Sequence, residues 1–462
     1  MTHELNIVIL AAGAGTRMYS DVPKVLHCVG GKPLLQHVIE TSKRLKPSKL
    51  IVVYGHGGNM VPETIKKSCS DSDDIIWVKQ ERQLGTGHAL KCAANYLDVD
   101  AATMLLYGDV PLIGLSTLEL MWNKYTNNVV VLTQLVNDSH GYGRILRNEV
   151  GRVIGIIDEK DADVAQRQIN EINTGIYIFA NNKLDGYLER ISNTNQQGEY
   201  YVTDIIAMAY ADGVYVDSVL SGNDYESLGV NNKLQLEYLE RRWQMQMAEE
   251  LLVKGVTLVD KTKIEVRGSL EVGRDCRIDI NCIFEGKVVL GNNVIIGAGC
   301  ILKNTVIDSD VEVKPYSIME GALIGVSSMI GPFARLRPGA NLGSRVHVGN
   351  FVEVKNSQIG SGSKANHLTY LGDCEVGSGV NIGAGSITCN YDGKNKFKTT
   401  IEDGAFIGSG TMMVAPVILG SGCVIGAGSV ITKDAPKNEL TVARSKQLTI
   451  VGYLKRKTSN VK

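Results

Sequence analysis

In its first half the chain alternates short apolar runs with stretches whose apolar residues recur every three or four positions. The runs are Leu5–Leu10, Leu50–Tyr54, Ile75–Val78 and Met104–Tyr107, and Val61–Ser68 and His88–Tyr96 carry the helical spacing. This alternation predicts an α/β, Rossmann-like domain with a largely parallel sheet and helices on both faces. A segment without glycine or proline follows, Asn232–Lys254, in which Leu236, Leu239, Trp243 and Met247 fall on one helical face. Such a helix spans about 30 Å, and Gly255 is its natural stop. The period then changes to six. Ile324, Ile330, Leu336, Leu342, Val348 and Val354 keep that step, as do Ile401, Ile407, Met413, Leu419, Ile425 and Ile431, often with glycine next in sequence. Each hexad offers one inward apolar side chain and a small residue at a corner, so successive coils stack into a prism. The pattern divides the chain into 1–231, a connecting helix at 232–254, and 255–462.

Composition narrows the partners. The 462 residues are too many for one core. Lys and Arg number 48 against 49 Asp and Glu, so nothing favours nucleic acid or a membrane surface as partner. No apolar run approaches membrane-spanning length, and the N-terminus lacks a signal-peptide layout. Nine scattered cysteines without a Cys-x-x-Cys pair fit free thiols in a reducing cytosol. The expectation is a cytoplasmic protein. Leu448–Lys462 reads as a polar, basic tail whose last dozen residues are mobile.

The densest chemistry lies in Leu10-Ala-Ala-Gly-Ala-Gly-Thr-Arg-Met18, followed by Pro23-Lys24. Small residues behind a buried strand let the backbone approach a ligand and turn its N–H groups toward phosphate. Arg17 and Lys24 add the positive charge that a polyphosphate requires. The spacing is neither a P-loop nor a dinucleotide fingerprint. Asp109 follows Gly108 at a strand end, where a carboxylate can hold Mg2+ against nucleotide phosphates; locally it is equally a turn residue. Gln80 and Leu84-Gly-Thr-Gly87 form a second small-residue segment that, taken alone, is a helix-start turn. In the second half, Cys389–Thr399 interrupts the hexads with a polar, basic loop, fit for an anionic cosubstrate or simply a surface insertion. His367 is a titratable group inside the repeat, and histidine suits a base acting near neutral pH.

The pattern Leu-x-x-Gly-x-Gly-Thr-x-Met with Pro-Lys downstream resembles the signature of the sugar-phosphate nucleotidyltransferases. With Gln80, Gly85-Thr86, Tyr107-Gly108-Asp109, Gly141-Tyr-Gly143, Glu171-Ile-Asn173-Thr-Gly175 and Gly229-Val-Asn231-Asn232, the chain resembles the bacterial bifunctional enzymes that acetylate glucosamine-1-phosphate and then uridylate the product. The resemblance implies that Leu10, Ala11, Ala12 and Gly13, with Gln80, Gly85 and Thr86, hold the uridine of UTP, beside Tyr107 and Gly108. It implies that Lys24 contacts phosphate, that Gly143, Asn173 and Asp158 or Glu159 hold N-acetylglucosamine-1-phosphate, and that Asp109 and Asn231 share Mg2+. Asp158 stands where such enzymes usually have glutamate.

The hexads resemble the hexapeptide-repeat acyltransferases, which implies a left-handed parallel β-helix, a homotrimer, and acetyl-CoA sites between neighbouring prisms. On that resemblance His367 is the catalytic base. Arg337, Lys355, Tyr370 and Asn381 hold glucosamine-1-phosphate, and Ala384, Asn390, Tyr391, Ser409, Ala427 and Arg444 line the acceptor and acetyl-CoA site. Glu353 is a candidate to orient the base or the amine. The alternative is a nucleotidyltransferase whose β-helix serves only as an oligomerisation scaffold.

Overall fold

A computed structural model describes residues 4–69 and 72–454, which fall into two compact units divided between Trp243 and Gln244. In the first unit the main sheet runs Val216–Leu220, Val129–Leu135, Glu171–Ala180, Ala102–Tyr107, Leu5–Ala11, Lys49–Tyr54, Ile75–Lys79. Leu5–Ala11 pairs in parallel with both neighbours, and Glu171–Ala180 is the antiparallel member. Burial on both faces explains why Leu5–Leu10 reads as an unbroken apolar run. Ile7 and Ile9 enter the core shared with Leu35, Val38 and Ile39 of the Leu34–Arg44 helix. Val8 and Leu10 point the other way, onto Ala89, Leu90 and Ala93 of the Thr86–Ala93 helix. That helix starts two residues before the periodicity suggests, because Gly85 (φ 105°) turns the chain immediately ahead of it.

The helix expected at 232–254 spans Lys233–Val253. Leu239, with Leu236 and Trp243, packs on Met18, Val29, Leu34 and Val230 in the first unit. Ala248 and Leu251 belong to the core of the second.

The second unit is a parallel β-helix. Ile324 pairs with Leu342, which pairs with Ile359; Ile330 pairs with Val348, which pairs with Ala365; Leu336 pairs with Val354, which pairs with Leu371. Consecutive hexad residues therefore line three faces in turn, and a coil closes every 17 or 18 residues in this region. The apolar member of each hexad is buried from Ile324 through Val354. Corner residues adopt positive φ, mostly Gly, Asn and Asp as that region favours. One corner differs. Tyr316, Phe333, Phe351 and Leu368 hold φ of 61°, 55°, 57° and 50° on successive coils, each about half exposed, with ring centroids 5.4 Å apart in the aromatic stack.

Residues 455–462, most of the expected mobile tail, lie outside the described residues. Among the described residues no helix is long and apolar enough to cross a membrane.

Candidate active sites

The first candidate site is a cavity of about 540 Å3 beyond the carboxyl ends of the parallel strands. Leu10, Ala11, Ala12 and Gly13 form one wall, and Gln80, Gly85, Thr86 and Tyr107 another. Lys24, Asp109 and Asn231 meet at its polar end. Gly108 is not among the residues lining this cavity, and a Cβ there would press on Leu35 and Ala11.

Local sequence explains this convergence. Gly15 adopts φ 61°, and a Cβ on it would lie 2.7 Å from Lys24 Cβ, so glycine lets the loop close over the lysine. Gly85 is equally constrained, because its Cβ would lie 2.6 Å from the Tyr200 carbonyl. Tyr200 N–H donates to Leu84 O and Gly87 N–H to Tyr200 O, which pins this loop at the mouth of the cavity.

The Lys24 ammonium bridges the Asp109 carboxylate and, at 3.2 Å, Asn231 Oδ1, to which Arg17 Nη2 also donates at 3.2 Å. Two oxygen donors thus already converge on a cation, which is the donor chemistry that Mg2+ takes alongside phosphate and water oxygens. The site fits the metal.

The 229–232 motif delivers Asn231, and what anchors it lies upstream, at a residue that sequence reading passed over. Val230 N–H donates to Asp109 O. Upstream, Glu226 is buried with no cationic partner among the described residues and accepts from Thr117 Oγ1, Ser221 Oγ and the Gly114 and Gly222 amides. Four donors from two segments satisfy one carboxylate, fixing the approach to Asn231.

Gly143, Asp158 and Asn173 gather at one end of three adjacent strands, since Arg144 sits opposite both Ile157 and Ile172. Asn173 N–H donates to Gly143 O, and Asn173 Oδ1 accepts from Tyr177. The two neighbouring acidic residues differ in their partners. Glu159 Oε2 lies 2.6 Å from Nη2 of Arg144, a fully buried guanidinium, and also accepts from Gly141 N–H. The hydrogen bond from Arg144 holds Glu159 below the usual carboxylate range. Asp158 accepts only from Lys160 N–H among the hydrogen bonds described, which leaves it the free carboxylate.

In the β-helix the predicted residues separate into columns. Asn350 pairs in register with His367. The next coils continue that column with Ala384, Ser409 and Ala427: Gly385 N–H donates to His367 O, Gly410 N–H to Ala384 O and Gly428 N–H to Ser409 O. Arg444 caps it by donating to Ala427 O at 2.6 Å. On another face Arg337, Glu353 and Tyr370 adjoin, with Arg337 Nη1 2.8 Å from Glu353 Oε1. Glu353 is therefore committed to Arg337, and it is Asn350 whose Oδ1 lies 2.8 Å from His367 Nδ1.

Asp373 joins further members. Lys355 lies 3.8 Å from it, and Asn356 and Asn390 donate to it. Burial alone would raise its titration, but these donors and the lysine charges hold it below the usual range. Tyr391 projects from the loop, more than half exposed. Asn381 pairs with Lys364 on the strand that follows His367's in the stack. The cavity beside His367, about 240 Å3, is lined by Lys314, Pro332, His347, Asn350 and Asn366, with none of the other predicted residues.

Fold and sites together define a nucleotidyltransferase domain joined to a hexapeptide-repeat transferase domain. Residues 7–160 match the MobA-like NTP transferase domain, 266–365 the GMPPB C-terminal domain, and 398–433 the bacterial transferase hexapeptide (six repeats), the last carrying the left hand of the β-helix. The bifunctional protein GlmU of Chromobacterium violaceum is 53% identical over 449 residues, covering 97% of this chain and 98% of that protein. Its counterpart in Herminiimonas arsenicoxydans is 52% identical over 450 residues, covering 97% and 98%. A crystal structure of a putative glucose-1-phosphate thymidylyltransferase from Bacillus anthracis, in complex with a sucrose, aligns at a TM-score of 0.43 and 19% identity, covering 51% of this chain and 94% of that one. The chain belongs to the GlmU bifunctional protein family.

Proposed function

We propose that this enzyme makes UDP-N-acetylglucosamine in two steps, with the residues gathered above in the roles that follow. The β-helix transfers acetyl from acetyl-CoA to glucosamine-1-phosphate, and the nucleotidyltransferase domain then transfers uridylyl from UTP to N-acetylglucosamine-1-phosphate. The observation that carries the reading is the pair of equipped sites in a chain alike to bifunctional GlmU proteins over nearly its whole length. We assign uridylyl transfer to 1–231, a linker role to 232–254 and acetyl transfer to 255–462.

In the first unit a sugar-phosphate oxygen attacks the α-phosphorus of UTP, and the bond to the bridging oxygen breaks to release pyrophosphate. The attacking oxygen is already ionised near neutral pH, so the chain needs no general base. Its work is positioning and charge neutralisation by Arg17, Lys24 and the backbone N–H groups of Leu10–Gly13. Asp109 and Asn231 would hold Mg2+, which when bound supplies further neutralisation of the phosphates. Gln80, Gly85 and Thr86 hold the uracil, and Gly143, Asp158 and Asn173 the sugar.

In the second unit the amine nitrogen attacks the thioester carbonyl. Nδ1 of His367 donates to Asn350, which leaves Nε2 unprotonated to take the amine proton as the C–S bond breaks and coenzyme A leaves. Arg337 and Lys355 answer the phosphate charge. Ala384, Ser409, Ala427 and Arg444 form one column, which suits the long acetyl-CoA molecule. The exposed aromatic corner borders the His367 column residue by residue, Phe351 following Asn350 and Leu368 following His367. We read it as the surface on which further copies close the acetyl site, in a cytoplasmic homotrimer.

The test supplies glucosamine-1-phosphate, acetyl-CoA, UTP and Mg2+ and follows free thiol and pyrophosphate separately. Both are expected, with pyrophosphate requiring acetyl-CoA. Pyrophosphate from N-acetylglucosamine-1-phosphate without any thiol release from the first mixture would leave the β-helix as a scaffold only.

A further inference from the structure

Gln80 follows the Ile75–Lys79 strand, is almost fully buried and lines the nucleotide cavity. One end of its side-chain amide lies 3.2 Å from the Gly85 carbonyl oxygen. A carbonyl only accepts, so while this contact is made that end is the NH2 group. The same nitrogen lies 2.9 Å from Nδ1 of His88, in the first turn of the Thr86–Ala93 helix. An NH2 group only donates, so Nδ1 carries the lone pair and the imidazole is the neutral Nε2–H form. Both amide hydrogens are thereby engaged, and Oε1 remains the group that Gln80 offers to the cavity. Burial and the nearby Lys91 both disfavour protonation of His88, which preserves its lone pair.

We infer that His88 is a positioning residue for base selection: it locks the Gln80 amide with its oxygen toward the cavity, so that the site accepts a base carrying a ring N–H and rejects one carrying a ring lone pair there. Uracil has such an N–H at N3, whereas cytosine has an acceptor at N3 and would meet Oε1 lone pair to lone pair. Gly85 alone cannot enforce this, because one hydrogen bond leaves the second amide hydrogen without a partner and an alternative orientation within reach. This inference rests on the uridylyl-transfer reading and adds to it a residue outside the binding set.

The test measures uridylyl transfer to N-acetylglucosamine-1-phosphate with UTP and with CTP in the full chain. His88→Leu is expected to raise KM for UTP about tenfold, the worth of one buried hydrogen bond. It should leave kcat within about twofold and cut the UTP-over-CTP preference about tenfold, by the same reasoning. His88→Asn, whose side-chain oxygen can accept where Nδ1 did, should restore most of that preference. His88→Ala, compatible with the helix, carries the same expectation as leucine should the latter fail to fold. A folded leucine or alanine variant that keeps the wild-type preference overturns the inference while leaving the functional reading intact. Absence of uridylyl transfer in the wild-type chain would overturn the reading itself.

Discussion

Asn350 and His367 stand directly above one another on successive coils, with Asn350 Oδ1 2.8 Å from His367 Nδ1. That contact fixes the tautomer and the ring plane of the proposed base. Asn350→Ala should therefore lower kcat of acetyl transfer by about tenfold to a hundredfold, since it misorients the base without removing it and the loss stays at or below the lower end of what general base catalysis contributes. KM for acetyl-CoA should hold and uridylyl transfer should be untouched. His367→Ala should abolish acetyl transfer and likewise leave uridylyl transfer near normal. Steady-state assays of the two half-reactions, run on one preparation, check both expectations.

The Glu226 carboxylate is satisfied entirely by donors, so glutamine is a poor substitute: its NH2 would face another N–H or O–H. Glu226→Gln should lower stability by about 1–3 kcal/mol and loosen the segment that carries Asn231. Urea unfolding measures the first. A higher Mg2+ concentration for half-maximal uridylyl transfer, with acetyl transfer unchanged, measures the second. Equal loss of both activities would point to general unfolding instead.

The two neighbouring acids should behave differently. Asp158→Ala should raise KM for N-acetylglucosamine-1-phosphate with little effect on thermal unfolding, whereas Glu159→Gln should lower the unfolding temperature, because it strips the charge partner from buried Arg144. The Glu159 carboxyl titrates lower in the folded state than in the unfolded chain. Its contribution to stability is thus complete above the ordinary glutamate range and disappears as pH falls through the lowered folded value. Acid unfolding of Glu159→Gln should lack that component, so the difference between variant and wild type should shrink toward low pH. A difference that grows on acidification would contradict the pairing.

These cases show what a linear reading can reach. The glycine pattern made Lys24 and Asp109 legible, since Gly15 and the strand end act within a few residues of the groups they serve. The six-residue period made the prism legible because each hexad repeats the same local turn. Asn350 was within reach too: it lies one coil before His367, and counting by 17 would have found it. Glu353 drew attention instead, yet register sets it opposite Tyr370. Glu226 offered no such cue. Its partners Gly114 and Thr117 lie 112 and 109 residues earlier in the chain, and only the folded topology brings them to it.

The aromatic corner yields the last prediction. Non-glycine residues held at positive φ cost about 1–2 kcal/mol each, and most neighbouring corners reduce that cost with Gly, Asn or Asp, Ser327 and Arg345 being exceptions. Tyr316, Phe333, Phe351 and Leu368 accept it and leave an apolar stripe half exposed beside the His367 column. A single chain gains little from that choice. Replacing Phe333 and Phe351 with asparagine relieves the backbone and removes the apolar stripe, so the isolated coil should be no less stable. The double variant should nevertheless fall to a lower mass in sedimentation, and acetyl transfer should fall with it, if, as we propose, the acetyl site draws on more than one copy. Uridylyl transfer, whose cavity lies wholly within the first unit, should persist in the dissociated form. A variant that keeps its mass and both activities would leave the stripe without a role in assembly.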